Sequence, residues 1–269
     1  MFRPSRVVLW VFKSAESIEL ARAAATLFPE SLFRVVILAP VTRARFFLTT
    51  LYREVTEVIA REVSEAVERE LRSFGVRLEG VDVVRGRAPG AVESYVRSVG
   101  CDVLGTSLAM ELGPEDVDHS PVTRVVEGAG IPVLLNTPLS KTLDRVRRVA
   151  LAVGAYRFPS RGIEVVRYLA SVFSIELEVL GVEEGADARR LRGVASSIGV
   201  ARASARSLGE VATGRGIEAL EEATSSVDLL VVDRDTIEPP PSVRTRRRRL
   251  SIVERIMIAV SRSPILFAQ

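Results

Sequence analysis

The 269-residue chain holds one cysteine, one histidine, one asparagine and one glutamine. Cys101 stands alone, which excludes an intrachain disulfide and any cysteine-rich metal cluster. Its place at the head of an apolar strand predicts a buried structural thiol. His119 alone restricts any histidine-dependent catalysis to one point. Lysine is nearly absent as well, at Lys13 and Lys141 only. Scarce thermolabile amides are a thermophile signal, and a thermophilic source is expected. Arginine in place of lysine is not part of that signal and is assigned to genome base composition. No apolar run approaches the ~20 residues that span a bilayer. Met1–Arg6 leads straight into a strand, without the basic, apolar and small-residue succession of a signal peptide. A soluble cytoplasmic protein is the expectation.

What the chain does contain, it contains twice. Cys101-Asp102-Val103-Leu104-Gly105-Thr106 precedes Ile131-Pro132-Val133-Leu134-Leu135. Val227-Asp228-Leu229-Leu230-Val231-Val232 precedes Ser263-Pro264-Ile265-Leu266-Phe267. Arg6–Val11 and Arg148–Val153 open the two series. A repeat of this period is one supersecondary plan used twice. Hydrophobic content of 47% fills two cores, so two domains are expected, 1–138 and 146–269, joined by the polar linker Thr137–Arg147.

Each half alternates strands and helices. The first reads as strands at 6–12, 33–41, 76–84, 102–107 and 132–135. Its helices read at 15–28 (with Ser14 as N-cap), 43–74, 90–98 and 121–127. In the long helix, Phe47, Leu51, Val55, Val58, Val63, Val67 and Leu71 recur at three- and four-residue spacing, with one step of five from Val58 to Val63, and read as one stripe. The second half reads as strands at 149–153, 175–182, 201–207, 229–232 and 265–267, with helices at 160–173, 186–198, 216–224 and 251–260. The strand at 201–207 has little apolar content. Strands separated by helices require crossover connections and form parallel sheets with helices on both faces. Continuously apolar strands such as Leu229–Val232 are those buried on both faces. The fold class is α/β: two tandem doubly wound parallel five-stranded sheets.

Taken together, Gly86-x-x-Pro89, Asp102–Thr106, Ser120 and Ile131–Leu134, with Asp228–Val232, Leu250–Ile256 and Pro264–Leu266, resemble the universal stress protein family in tandem form. The resemblance implies the adenine nucleotide alpha hydrolase-like fold with strand order 3-2-1-4-5. It also implies a dimer-like pairing of the two strand fives within one chain, and leaves a homodimer open. Nucleotide-binding members of the family carry a loop of Gly, two residues, Gly, nine residues, then Gly before Ser or Thr. Such glycines admit phosphate to the backbone and to the next helix N-terminus. Binders also place an aspartate at the end of strand one. The first half keeps Gly105 and Ser120 but has Leu108 and His119 at the other glycines, and Phe12 at the aspartate. The second half has Asp233, Thr236 and Leu250 at the glycines, Gly154 at the aspartate, and keeps Ser251. The resemblance therefore implies a stress-response binding protein with degenerate loops and no resident cofactor. ATP is left open in the first half only, near Phe12, Lys13, Gly105, Thr106, His119 and Ser120. A slow ATPase there and a soluble module of a transporter are the alternatives.

Two local features remain. Asp116, Asp118, His119 and Ser120 cluster, with Ser120 read as a helix cap and the group too small for a zinc site. Arg244, Arg246, Arg247, Arg248 and Arg249 form a run that gives residues 141–269 a net +5, against −2 for the remainder. With Ser251 they are candidate anion ligands. The run reads as a solvated loop or, as the alternative, as the contact of a polyanion-associated protein, its partner a phosphorylated ligand, a nucleic acid such as RNA or an acidic membrane surface, held through charge rather than stacking because no aromatic residue interleaves with it. No catalytic residue is assigned and the protein partner is unknown.

Overall fold

The computed structural model describes residues 2–12, 14–40, 46–108, 120–237 and 249–269. The first half runs β1 (Arg6–Val11), α1 (Ser14–Leu27), β2 (Leu32–Pro40), α2 (Phe46–Ser73), β3 (Arg77–Gly86), α3 (Gly90–Val99), β4 (Val103–Ser107), α4 (Pro121–Gly128) and β5 (Val133–Asn136). The second runs β6 (Arg148–Val153), α5 (Ser160–Val172), β7 (Glu176–Gly181), α6 (Ala188–Ile198), β8 (Ala203–Ser207), α7 (Gly214–Ser226), β9 (Leu229–Asp233), a 3-10 turn at Arg234–Thr236, α8 (Ile252–Val260) and β10 (Ile265–Ala268). Ser14 is the first residue of α1 rather than its cap.

All ten strands join in one sheet, in the order β3-β2-β1-β4-β5-β10-β9-β6-β7-β8. Each half is parallel within itself and has the order 3-2-1-4-5. The halves meet where β5 pairs antiparallel with β10, Leu134 opposite Leu266. Two short apolar edges are thereby covered. The outer edges are β3 and β8. That position explains the weak pattern of β8, whose residues are mostly exposed.

Side chains alternate across the pleat, so the sheet has two apolar layers. Val7, Leu9 and Val11 face α1 and α2, while Leu151 and Val153 face α5 and α6. Val8, Trp10 and Leu104 face α3 and α4, while Leu230 and Val232 face α7 and α8. Each fully buried Val or Leu contributes roughly 1.5–3 kcal/mol. The repeated aspartate has the same structural role in both halves. Asp102 Oδ2 accepts from the Ser5 and Arg6 N–H groups and the Ser5 hydroxyl. Burial opposes ionisation of Asp102, but these donors outweigh it and hold the carboxyl below its ordinary range. Asp228 Oδ2 accepts from the Arg147 and Arg148 N–H groups. The motif thus ties the start of strand four to the start of strand one.

Two expectations need revision. The segment read as a polar linker is packed: Leu143 and Val146 are buried in the core, and the Thr137 hydroxyl donates to Ser261 O. The apolar positions of α2 do not form one stripe. Ala60, Val63, Val67 and Leu71 are buried, whereas Val58 is 56% exposed. Gly105 lies inside β4, within the strand read at 102–107. Cys101 is buried, and its thiol is pushed up to about 12 by that burial. No described helix is long and apolar enough to cross a membrane.

The halves also grip through side chains. Tyr168 of α5 donates to Leu27 O at the end of α1 and packs edge-on against Phe2. Gln269 Nε2 and Arg234 Nη1 both donate to Val126 O in α4.

Candidate functional site

Within each half, strand order reverses between strand one and strand four. The helix after strand one leaves to one face of the sheet and the helix after strand four leaves to the other. The crevice between them, at the carboxyl ends of the strands, is where doubly wound sheets hold ligands. There are two such crevices, and they are built differently.

The second crevice is filled by the chain itself. Asp233, the last residue of β9, is fully buried. Its Oδ2 accepts the Gly162 N–H at 2.7 Å and its Oδ1 accepts the Asp235 N–H at 3.1 Å. Gly162 lies in the first turn of α5, a helix whose preceding residue, Pro159, gives no side-chain cap. A carboxylate from a different strand therefore completes the helix N-terminus, where a negative charge is favoured. The fit is close: a Cβ on Gly162 would lie 3.0 Å from Asp233 Cβ and 2.6 Å from Leu151 Cδ1. Burial pushes the Asp233 carboxyl up to about 6, against the opposing pull of the Gly162 and Asp235 N–H groups. Next to it, the Thr236 hydroxyl accepts the Gly154 N–H and donates to Asp233 O, both at 2.8 Å. Arg234, 4% exposed, pairs through Nε with Glu254 Oε1 at 2.7 Å. Glu254 is fully buried, and its Oε2 takes the Ser251 N–H in a capping box.

The first crevice holds polar atoms that the described residues do not satisfy. Trp10 of β1 and Thr106 of β4 are lateral neighbours. Both are fully buried, and neither Trp10 Nε1 nor Thr106 Oγ1 has a hydrogen-bond partner among the described residues. Thr123 Oγ1, in α4, is buried without one, and so is Asn136 Oδ1 at the end of β5. In the repeat, Trp10, Thr106, Thr123 and Asn136 correspond to Ala152, Val232, Glu254 and Ala268. Leaving a buried donor or acceptor unpaired costs about 1–3 kcal/mol, and each such group calls for an explanation. At the mouth, Phe12 is 37% exposed and its ring lies 4.4 Å from that of Trp10.

The architecture has solved counterparts. A universal stress protein from Archaeoglobus fulgidus matches over 98% of this chain and 96% of its own, with a TM-score of 0.68 at 14% identity. A second match, described as a putative universal stress protein from Pseudomonas aeruginosa, covers 98% and 93%, with a TM-score of 0.59 at 10% identity. The chain has the fold of the universal stress proteins. No family model and no curated protein matches its sequence.

Against the phosphate loop of nucleotide-binding universal stress proteins, the described residues fit poorly. Gly105 is a packing glycine, since a Cβ there would meet Leu9 Cδ2 at 2.7 Å. Leu108 is 3% exposed and joins the apolar layer under α4. Ser120 caps α4, its hydroxyl accepting the Val122 N–H at 3.2 Å. Ser251 caps α8 in the same way and is 7% exposed. In the second half, Asp233 holds the anion position itself. The structure brings Thr106 beside Trp10, with Phe12 and Ser120 at the ends of neighbouring elements. Arg249 is exposed and has no described role. Lys13, His119, Arg244, Arg246, Arg247 and Arg248 lie outside the described residues, and so do Asp116 and Asp118. No described group of three or more His, Cys, Asp or Glu is placed to hold a metal ion.

Sequence reasoning missed Trp10, Thr123 and the Arg234–Glu254 pair. It saw Asp233 only as the replacement of a loop glycine. The signal was present in the repeat itself. Where one half has Trp, Thr and Thr, the other has Ala, Val and Glu.

Proposed function

We propose that the protein is a stress-response binding and regulatory protein of the universal stress protein type, acting in the cytoplasm without a catalytic step. Residues 1–138 form the ligand-binding unit. Residues 146–269 form a built-in second subunit that completes a dimer-like body through the β5–β10 pairing. The observation that carries this reading is the contrast in polar satisfaction. Buried polar atoms without partners lie in the first crevice, whereas Asp233, Thr236, Arg234 and Glu254 are paired in the second.

The ligand class that fits is a nucleoside-like molecule with a flat ring for Phe12 and polar edges for Trp10 Nε1 and Thr106 Oγ1. Phosphates add little to its binding, because the loop glycines that would admit them are replaced by Leu108 and His119. ATP is accordingly a weak ligand or none. Calorimetric titration of the full chain with adenosine, and with ATP plus magnesium, tests this. At most one equivalent per chain is expected, with ATP no more than about tenfold tighter than adenosine, a margin of 1.4 kcal/mol, and weaker than about 0.1 mM. Submicromolar ATP affinity, or two equivalents per chain, would overturn the reading.

A further inference from the structure

α4 forms one wall of the first crevice. It has eight residues, Pro121–Gly128, and carries Thr123 in its first turn. A helix this short is marginal by itself and depends on what it packs against. Its start is served from within the first half, by the Ser120 hydroxyl. Its last turn has no basic side chain. The last four carbonyls of a helix have no partner inside it, and a cation is favoured beside them.

The second half supplies both partner and cation. Val126 O accepts from Arg234 Nη1 at 3.0 Å and from Gln269 Nε2 at 2.7 Å. Arg234 is 4% exposed, and its Nε is held by Glu254 Oε1. Its planar fork therefore points from one half into the other in a fixed direction. One residue on, Glu127 Oε1 accepts the Leu250 N–H at 3.0 Å. Leu250 directly precedes Ser251, the cap of α8. The turn after β9 and the start of α8 thus both end on α4. At the counterpart positions this grip is not returned. Arg234 corresponds to Leu108, whose side chain has no donor. Val126 corresponds to Met257, whose carbonyl takes the Ser261 N–H of the second half itself.

We infer that the second half sets the shape of the first crevice. Arg234 and Gln269 are positioning residues that hold α4, with Thr123 on it, over the apolar layer that contains Trp10. As a control on ligand binding, this rests on the first crevice being the ligand site. As a grip on α4, it does not. A change that loosens the turn after β9 then loosens the crevice of the other half.

The variant Arg234→Lys/Gln269→Ala tests this in the full chain. An ammonium keeps the charge beside Glu254 but lacks the fork that also reaches Val126 O. Both donors are withdrawn while the buried charge stays compensated. Ser263→Ala is the control. It removes a buried hydroxyl that donates to Thr224 O and Val227 O, and so weakens the second half without touching α4. In ligand-free protein, the α4 amides should exchange hydrogen at least about tenfold faster in the double variant and not in the control. Acrylamide should quench Trp10, the chain's one tryptophan, more strongly in the double variant alone. Calorimetric titration with adenosine should give a dissociation constant at least about fivefold higher in the double variant and unchanged in the control. Exchange and quenching that match wild type, or that rise equally in both variants, would overturn the inference. Unchanged adenosine affinity in a double variant whose α4 exchanges faster would overturn it too. A wild type that binds no adenosine, with α4 loosened in the double variant alone, would overturn the ligand reading and leave the grip standing.

Discussion

The first and second crevices have the same strand order, the same repeated aspartate and the same serine cap, yet their interiors are opposite in character. In the second, the described positions that the repeat offers to a ligand are engaged within the chain. Asp233 stands at the helix N-terminus, Thr236 holds the turn, and Arg234 is locked to Glu254. In the first, the corresponding positions hold Ser107, Leu108 and Thr123, and Thr123 Oγ1 with Trp10 Nε1 and Thr106 Oγ1 is left unpaired. Among the described residues, one plan has thus diverged into a half whose polar groups are paired within the chain and a half with buried polar atoms left over. Fold similarity is silent on this difference, because function resides in sites carried by folds.

The largest expected effect comes from breaking the closed half. Arg234→Ala leaves Glu254 as a buried, uncompensated charge and removes a donor to Val126 O in α4. Urea unfolding should show a loss of about 3–5 kcal/mol. Grafting the first half's pair, Arg234→Leu with Glu254→Thr, leaves no buried charge and should recover more than half of that loss. If the double variant is as unstable as the single one, the pair is not the feature that closes this half.

A smaller effect concerns pH. Asp233 has its carboxyl raised from 3.8 to about 6 in the folded chain. A carboxyl raised on folding binds its proton more tightly in the native state. Its contribution is therefore complete below about pH 4 and is lost as pH rises through 6. The loss is on the order of 3 kcal/mol for a shift of this size. Asp233→Asn should flatten the stability profile between pH 4 and 7. It should also lower stability at pH 7, since its amide NH₂ faces a backbone N–H in place of an acceptor. An unchanged profile would show that Asp233 does not titrate in this range. No counterpart is expected in the first half, where the equivalent residue is Ser107.

Much of the fold was legible because it follows from period and burial. Leu229–Val232 and Val7–Val11 read as strands buried on both faces, and the duplicated Ile131–Leu135 and Ser263–Phe267 predicted the central pairing. The end of β1, the start of α1 and the end of α2 shifted by one residue, within the usual uncertainty of element ends, and the expected start of α2 at residue 43 lies outside the described residues. The site was less legible, for physical reasons. Gly105 reads as the first glycine of a phosphate loop by resemblance, but its environment is Leu9 of β1 and Leu20 of α1, which only the packed fold brings to it. Asp233 and Gly162 are 71 residues apart, and their bond exists only once α5 returns across β6 and β9. Val58 and Val63 do not share one face because they are five residues apart, a step that turns about 140° around a helix of 3.6 residues per turn.

The contrast between the crevices is tested most directly by one isosteric change made in each. Thr236→Val removes a hydroxyl that both accepts from Gly154 N–H and donates to Asp233 O. Thr106→Val removes a hydroxyl with no partner among the described residues. In ligand-free protein, urea unfolding should show Thr236→Val losing about 1–3 kcal/mol, because a buried N–H is left unsatisfied. Thr106→Val should lose nothing or become more stable, since a buried unpaired polar group is replaced by a methyl of the same shape. Equal losses from the two variants would contradict the account, because Thr106 would then be as fully engaged within the chain as Thr236.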